Sequence, residues 1–152
     1  MRLRHRFLRA SSVGALYTRR DVRDARTPDS QTFGVDVLTQ TLLGTKILNV
    51  GAFYLDTTTP ANTGKGAAYG LAVDYPNDLW SWQINFKDFQ PNAEPAIGFM
   101  DRTGYRKVTQ HLGFGPRPKD SRLIRQVSMQ MRNELFWDMK WGWTERTFNL
   151  TL

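Results

Sequence analysis

The chain of 152 residues contains no cysteine. That excludes disulfides, thiolate catalysis and zinc–thiolate sites together, while deciding little about compartment. Histidine is almost as scarce: His5 and His111 are the only two, and they lie far apart in sequence. With neither a thiolate nor a histidine pair, a transition-metal centre has few ligands to draw on, and no metal or cofactor is expected. No apolar run approaches the roughly 20 residues that a membrane helix needs, so any spanning structure has to be a β-barrel. Sustained helical periodicity is missing as well, because Gly and β-branched residues interrupt every candidate helix.

What is present is aromatic and alternating. Hydrophobic residues make up 40% and aromatics 12%, with five Trp, five Tyr and nine Phe. Large aromatics favour strands and membrane–water boundaries. The alternation is cleanest between Ala67 and Lys87. Ala67, Tyr69, Leu71, Val73 and Tyr75 occupy one parity, with Ala68, Gly70, Ala72 and Asp74 on the other. After a turn, Trp80, Trp82, Ile84 and Phe86 alternate with Ser81, Gln83, Asn85 and Lys87. Strand side chains swap faces at every residue, so each segment has one greasy face and one wet or small one. A tight turn at Asn77-Asp78, with Pro76 opposite Leu79, predicts the pairs Tyr75–Trp80, Val73–Trp82, Leu71–Ile84 and Tyr69–Phe86.

Eight strands are predicted, near 11–18, 32–40, 46–55, 67–75, 79–87, 104–114, 122–135 and 143–152, and the fold class is all-β. Residues 1–10 read as a basic tail and 11–152 as one β domain, which is enough chain for one domain. In an antiparallel meander, alternate connections lie at opposite ends. The links 19–31, 56–66 and 88–103 are long, whereas 41–45, 77–78 and 115–121 are shorter; 136–142 is of middling length. Outer-membrane barrels have that asymmetry, and strands of nine or more residues suit a tilted crossing. Two features depart from the pattern. Phe53 and Leu55 share a face opposite Leu48, Val50, Ala52 and Tyr54, and Arg125 shares one with Val127, Met129 and Met131. A bulge or a position near a membrane boundary is the expected explanation.

The formal net charge is +7, much of it in Arg2, Arg4, Arg6 and Arg9 and in Arg19, Arg20, Arg23 and Arg26. Such clusters suit phosphate or anionic headgroups, and equally suit a solvated terminus and loop. The start resembles the charged head of a signal peptide, but no apolar segment follows it.

Several stretches look familiar in their order and spacing. They are Ser11-Ser12-Val13-Gly14-Ala15-Leu16-Tyr17-Thr18, Ala68-Tyr69-Gly70-Leu71, and Asp74-Tyr75-Pro76-Asn77-Asp78-Leu79-Trp80. Further on come Ile97-Gly98-Phe99-Met100-Asp101-Arg102, and Phe114-Gly115-Pro116-Arg117-Pro118 followed by Ile124-Arg125. Together these resemble the C-terminal barrel region of large bacterial outer-membrane proteins with an N-terminal carbohydrate-binding family-nine-like domain. That barrel is a domain of unknown function, although some members carry a membrane-associated hydrolase label. The resemblance covers most of the chain from Ser11 onward and implies a bacterial outer-membrane location. It also implies that this chain is a fragment, an arc of a wider barrel, with Met1 an internal start. Any glycan would then be bound by the absent domain.

Candidates for catalysis are weak. His111 lies mid-strand between Thr109 and Gly113, where a polar lumenal residue is the better reading than a general base. Gly64-Lys65-Gly66 lacks P-loop spacing and reads as a flexible loop. Asp88, Glu94 and Asp101 lie in the longest predicted loop at a spacing that matches no ligand loop, so solvated charges are expected. Phe136, Trp137, Trp141 and Trp143 form the densest aromatic cluster; a barrel girdle ranks first, core second and a sugar platform third.

The expectation is therefore a structural barrel segment with no catalytic residues. Tyr69, Leu71, Val73, Tyr75, Trp80, Trp82, Ile84 and Phe86 would face outer-membrane lipid, and Asp74, Ser81, Gln83, Asn85 and Lys87 a lumen. Its partners would be lipid and the remaining strands of a larger barrel, with no nucleic acid. The competing expectations are a soluble β-sandwich that binds glycans or polyanions, and a hydrolase using the loop carboxylates.

Overall fold

A computed structural model of the chain describes residues 1–8, 10–21, 29–59, 64, 66–94, 102–118, 126–140 and 142–151. These residues form nine strands: β1 Arg2–Phe7, β2 Ser11–Arg20, β3 Ser30–Leu43, β4 Lys46–Thr58, β5 Ala67–Pro76, β6 Trp80–Phe89, β7 Tyr105–Phe114, β8 Met129–Asp138 and β9 Trp143–Thr151. All nine lie in one antiparallel sheet in sequence order. Each strand contacts only its neighbours in sequence, so β1 and β9 are both free edges and the sheet is open. There is no helix among the described residues.

A globular domain ordinarily packs a second layer against its sheet. Here the strands form one sheet among the described residues, and not the two facing sheets that a sandwich requires. The core is correspondingly slight: Ala67, Ala68 and Ala93 are the only buried apolar residues described. Large apolar side chains such as Leu71 and Ile84 stay about half exposed, at 50% and 47%.

Three features of strand placement and pairing differ from the sequence reading. The basic tail contains a strand: β1 pairs with β2, Arg4 opposite Gly14 and Phe7 opposite Ser11. Arg2, Arg4 and Arg6 alternate with Leu3, His5 and Phe7, so this segment has the period of a strand despite its charge. The edge of the sheet is therefore β1 and not residues 11–18. At the other end, β8 starts at Met129, later than predicted, and continues to Asp138. Val127 lies before it, its N–H donating to the Pro116 carbonyl at 3.1 Å, while Arg125 and Ile124 fall outside the described residues. Link 115–128 is thus long and 139–142 short, which reverses the end-to-end asymmetry for the last two connections.

The β5–β6 register is the third difference. Tyr75 pairs with Trp82, Val73 with Ile84, Leu71 with Phe86 and Tyr69 with Asp88, two residues away from the predicted pairs. Pro76 has no N–H with which to close a two-residue hairpin. Asn77 instead donates to the Tyr75 carbonyl at 3.0 Å, a three-residue turn centred on Pro76, and the loop opens so that Pro76 faces Ser81. A slip of two keeps every side chain on its predicted face. Between β3 and β4 the turn is tight: Gly44, at φ 65°, occupies the first of two loop positions, where a hairpin favours glycine.

Phe53 and Leu55 need no bulge, for the β3–β4 and β4–β5 ladders run without a register shift. Each sits opposite a glycine: Leu55 pairs with Gly34, and Phe53 with Gly70. A Cβ at Gly34 would collide with Leu55, and one at Gly70 would meet the Phe53 ring and lie 2.8 Å from the Phe86 carbonyl oxygen. Bulky side chains thus lie across bare backbone on the neighbouring strand. Gly70→Val is expected to cost about 1–3 kcal/mol from overpacking. Gly51→Ala, whose Cβ would meet Leu38 at an ordinary 3.5 Å, should be mild. Denaturation followed by tryptophan fluorescence compares the two.

Candidate functional site

With no packed core among the described residues, the sites this sheet offers are its two faces. Following the pairs across the sheet sorts the residues by face. The eight residues Tyr69, Leu71, Val73, Tyr75, Trp80, Trp82, Ile84 and Phe86 share one face. Asp74, Ser81, Gln83, Asn85 and Lys87 share the other. The first face continues through Val13, Ala15, Val35, Val37, Val50 and Ala52 on one side, and through Val108, Leu112 and Met131 on the other.

On this apolar face the aromatics gather towards the two ends of the strands. At one end Trp80 and Phe114 pair with ring centres 4.4 Å apart, and Tyr75 stacks on Trp82 at 5.8 Å. At the other lie Tyr17, Phe33, Tyr54, Tyr69 and the Trp137–Trp143 pair, whose rings are 5.2 Å apart. Trp141 lies outside the described residues, and Phe136 is on the opposite face from Trp137. Between the aromatic groups the side chains are mainly Val, Ala, Leu and Ile. Trp80 and Asp88 mark the two ends on β6, about 26 Å apart along the strand at roughly 3.3 Å per residue.

Two groups of polar side chains on this face are bonded among themselves. Asp88 is 1% exposed; its Oδ2 accepts from the Tyr69 hydroxyl at 3.0 Å and from Arg106 Nε at 2.7 Å. Arg106 also donates to the Met139 carbonyl at 3.1 Å. Asp88 is therefore not the solvated loop charge expected from its sequence setting: it belongs to β6 and is buried. Glu94 is exposed, and Asp101 lies outside the described residues. Nearer the β9 edge, Asn133 donates to Gln110 at 3.1 Å and accepts from Arg146 at 3.3 Å. His5 lies on the same apolar face, opposite Val13.

The second face is polar. One row crosses seven strands as Gln40, Asn49, Asp74, Gln83, His111, Arg132 and Asn149. Gln40 donates to Asn49 at 2.9 Å, and Asn49 to Asp74 at 3.3 Å. The next rows bring Asn85, Thr109 and Glu134 together, then Lys87, Lys107 and Phe136. Glu134 accepts from Lys107 at 3.1 Å and from Arg132 at 2.6 Å. A cleft of about 300 Å³ lies among Gln83, Lys87, Lys107, His111 and Arg132. Among the described residues, no three His, Cys, Asp or Glu side chains are grouped to hold a metal. Of the Gly64-Lys65-Gly66 stretch, Lys65 is outside the described residues, and the Gly66 carbonyl accepts from the Thr57 N–H at 3.1 Å.

No family model, curated protein or solved structure matches this chain. The two faces therefore stand on their own chemistry.

The sequence reading named the polar residues of β5 and β6 and missed Lys107, Arg132 and Glu134, which the sheet brings beside them. Their signal was available. Lys107, Thr109, His111 and Gly113 alternate with Arg106, Val108, Gln110 and Leu112, and Gln130, Arg132 and Glu134 share one parity. Only the pairing of β6 to β7 and β7 to β8 shows that these parities meet on one face.

Proposed function

We propose that this chain is a structural segment of a bacterial outer-membrane β-barrel, with its apolar face against lipid and its polar face towards a lumen. The observation that carries the reading is a face of Val, Leu, Ile and Ala, flanked by aromatics, that no layer covers among the described residues. Soluble monomers rarely expose apolar patches beyond a few hundred Å². In hydrocarbon the same face is matched to its surroundings, while ladder hydrogen bonds satisfy the backbone. An outward apolar band roughly 25 Å tall between aromatic girdles is the pattern of such barrels. Strands β2 to β9 have 9 to 14 residues, enough for a tilted crossing.

Bacterial single-chain barrels close on an antiparallel pair, with an even number of strands. β1 and β9 run in the same direction in a nine-strand meander, so they cannot join as an antiparallel pair. A wider barrel, of which this sheet is one arc, meets that requirement and accords with the resemblance to the barrel region behind a carbohydrate-binding family-nine-like domain. Carbohydrate binding would then belong to that other domain. The half-buried Asn133–Gln110 bond and Arg146 next to it suit protein contact near the β9 edge better than open lipid.

The test exploits the absence of native cysteine. Single cysteines at Leu71, Ala72, Val73, Ile84 and Asn85 are spin-labelled and the protein is placed in lipid vesicles. Labels at 71, 73 and 84 are expected to be accessible to dissolved oxygen and shielded from a polar nickel chelate, with the opposite at 72 and 85. Water exposure at all five, or tight contact with another sheet at 71 and 84, defeats the proposal.

A further inference from the structure

We propose that the polar face of β6–β8 is a binding site for a doubly charged oxyanion, of the phosphate class, seated between Lys87 and Lys107. It deepens the lumenal reading above and rests on it only for the route by which the solute arrives.

Lys87 and Lys107 are direct partners across the β6–β7 ladder. Cross-strand partners have Cβ atoms about 4.5–5.5 Å apart, and like charges set directly opposite each other destabilise a sheet. Any polar residue would serve a wet face, so two opposed ammonium groups need a compensating charge. Only part of it is present. Glu134 is shared by Lys107 and Arg132, while Lys87 has no carboxylate partner among the described residues. Among the residues that line the cleft, three cations against one carboxylate leave a net charge of two positive, the complement of a dianion, while Asp36 and Glu145 lie farther out along the same row.

The neighbouring positions add donors without charge. Asn85 and Thr109 are also direct partners, one step along the same face, so an amide and a hydroxyl flank the lysine pair. The lysine row is bounded by aromatic rings. Phe53 lies across Gly70, the β5 partner of Lys87, and Phe136 is the β8 partner of Lys107, with the Lys107 ammonium 4.6 Å from its ring centre. Phenyl walls lower the local dielectric and strengthen the attraction of the ammonium groups for an anion. Lysines act as compact point charges and bind phosphate oxygens well.

The test is calorimetric titration of the full chain in detergent micelles with inorganic phosphate, at low ionic strength and with chloride as control. Saturable binding at one site is expected, with chloride ineffective. Lys87→Gln is expected to weaken it about five- to tenfold, the effect of removing one close charge. Lys87→Arg should retain it within about twofold, and Arg6→Gln, a cation on the same face but on the distant β1, should leave it unchanged. Lys87 is exposed, so these variants should fold, which circular dichroism checks. Absence of saturable binding, or equal weakening by Arg6→Gln, overturns the site. The outcome is separable from the lipid reading: spin labels that fail on the apolar face while phosphate binding persists would sink the barrel alone. The reverse result would sink the oxyanion site alone.

Discussion

Ile84→Arg is expected to destabilise the protein in vesicles by about 2–4 kcal/mol, whereas its neighbour Asn85→Arg should cost under about 1 kcal/mol. The two positions are adjacent in β6 and project to opposite faces. Ile84 is 47% exposed, is paired with Val73, and lies between the aromatic ends of the apolar face. In a bilayer an arginine there must be dragged towards the interface or hydrated by thinning the membrane, and the cost is greatest at the midplane. Asn85 is on the face that carries Lys87 and Thr109, where one more cation meets water. Reversible urea unfolding into and out of vesicles measures the difference. In a water-soluble sheet both substitutions would be mild, so equal tolerance would remove the lipid reading.

The second large effect belongs to Asp88. Asp88→Ala is expected to cost about 3–5 kcal/mol, because it removes the carboxylate bonded to Arg106, whose side chain is only 17% exposed. It also leaves the Tyr69 hydroxyl without its acceptor. The Asp88 Oδ1 atom has no hydrogen-bond partner among the described residues, so this carboxylate is held by one oxygen. Replacing both charged partners with apolar residues of similar size, Asp88→Leu with Arg106→Met, should recover most of the loss. Thermal or urea midpoints of the single and double variants form a cycle. A single variant as stable as the parent would show that the pair contributes little, and a double variant as weak as the single would show that the aspartate matters for something other than its partner.

Much of this architecture was legible in single strands. Period-two alternation identified β5 and β6 and assigned each of their side chains to a face, because the pleat turns alternate residues to opposite sides whatever the partner strand does. It would have identified β1 equally well, had the arginines not suggested a solvated tail. Boundaries were less legible. The late start of β8 depends on Val127 bonding back to Pro116, a contact that nothing in residues 122–128 announces.

The departures at Phe53 and Leu55 had their explanation in other segments. Gly34 and Gly70 are far from them in sequence, and their role appears only when the ladders set them opposite. Asp88 likewise reads as a loop carboxylate until Arg106 is placed across from it.

The sequence by itself thus determined the class of the fold and the parity of its faces, since both follow from local backbone geometry and the spacing of apolar residues. The tertiary structure decided which residues meet: the two-residue displacement at Pro76, the glycine beneath each bulky side chain, the buried Asp88–Arg106 pair, and the strip of bases drawn from three strands. Such pairings depend on the alignment of segments distant along the chain, and a slip of two residues changes every neighbour while leaving the alternation intact.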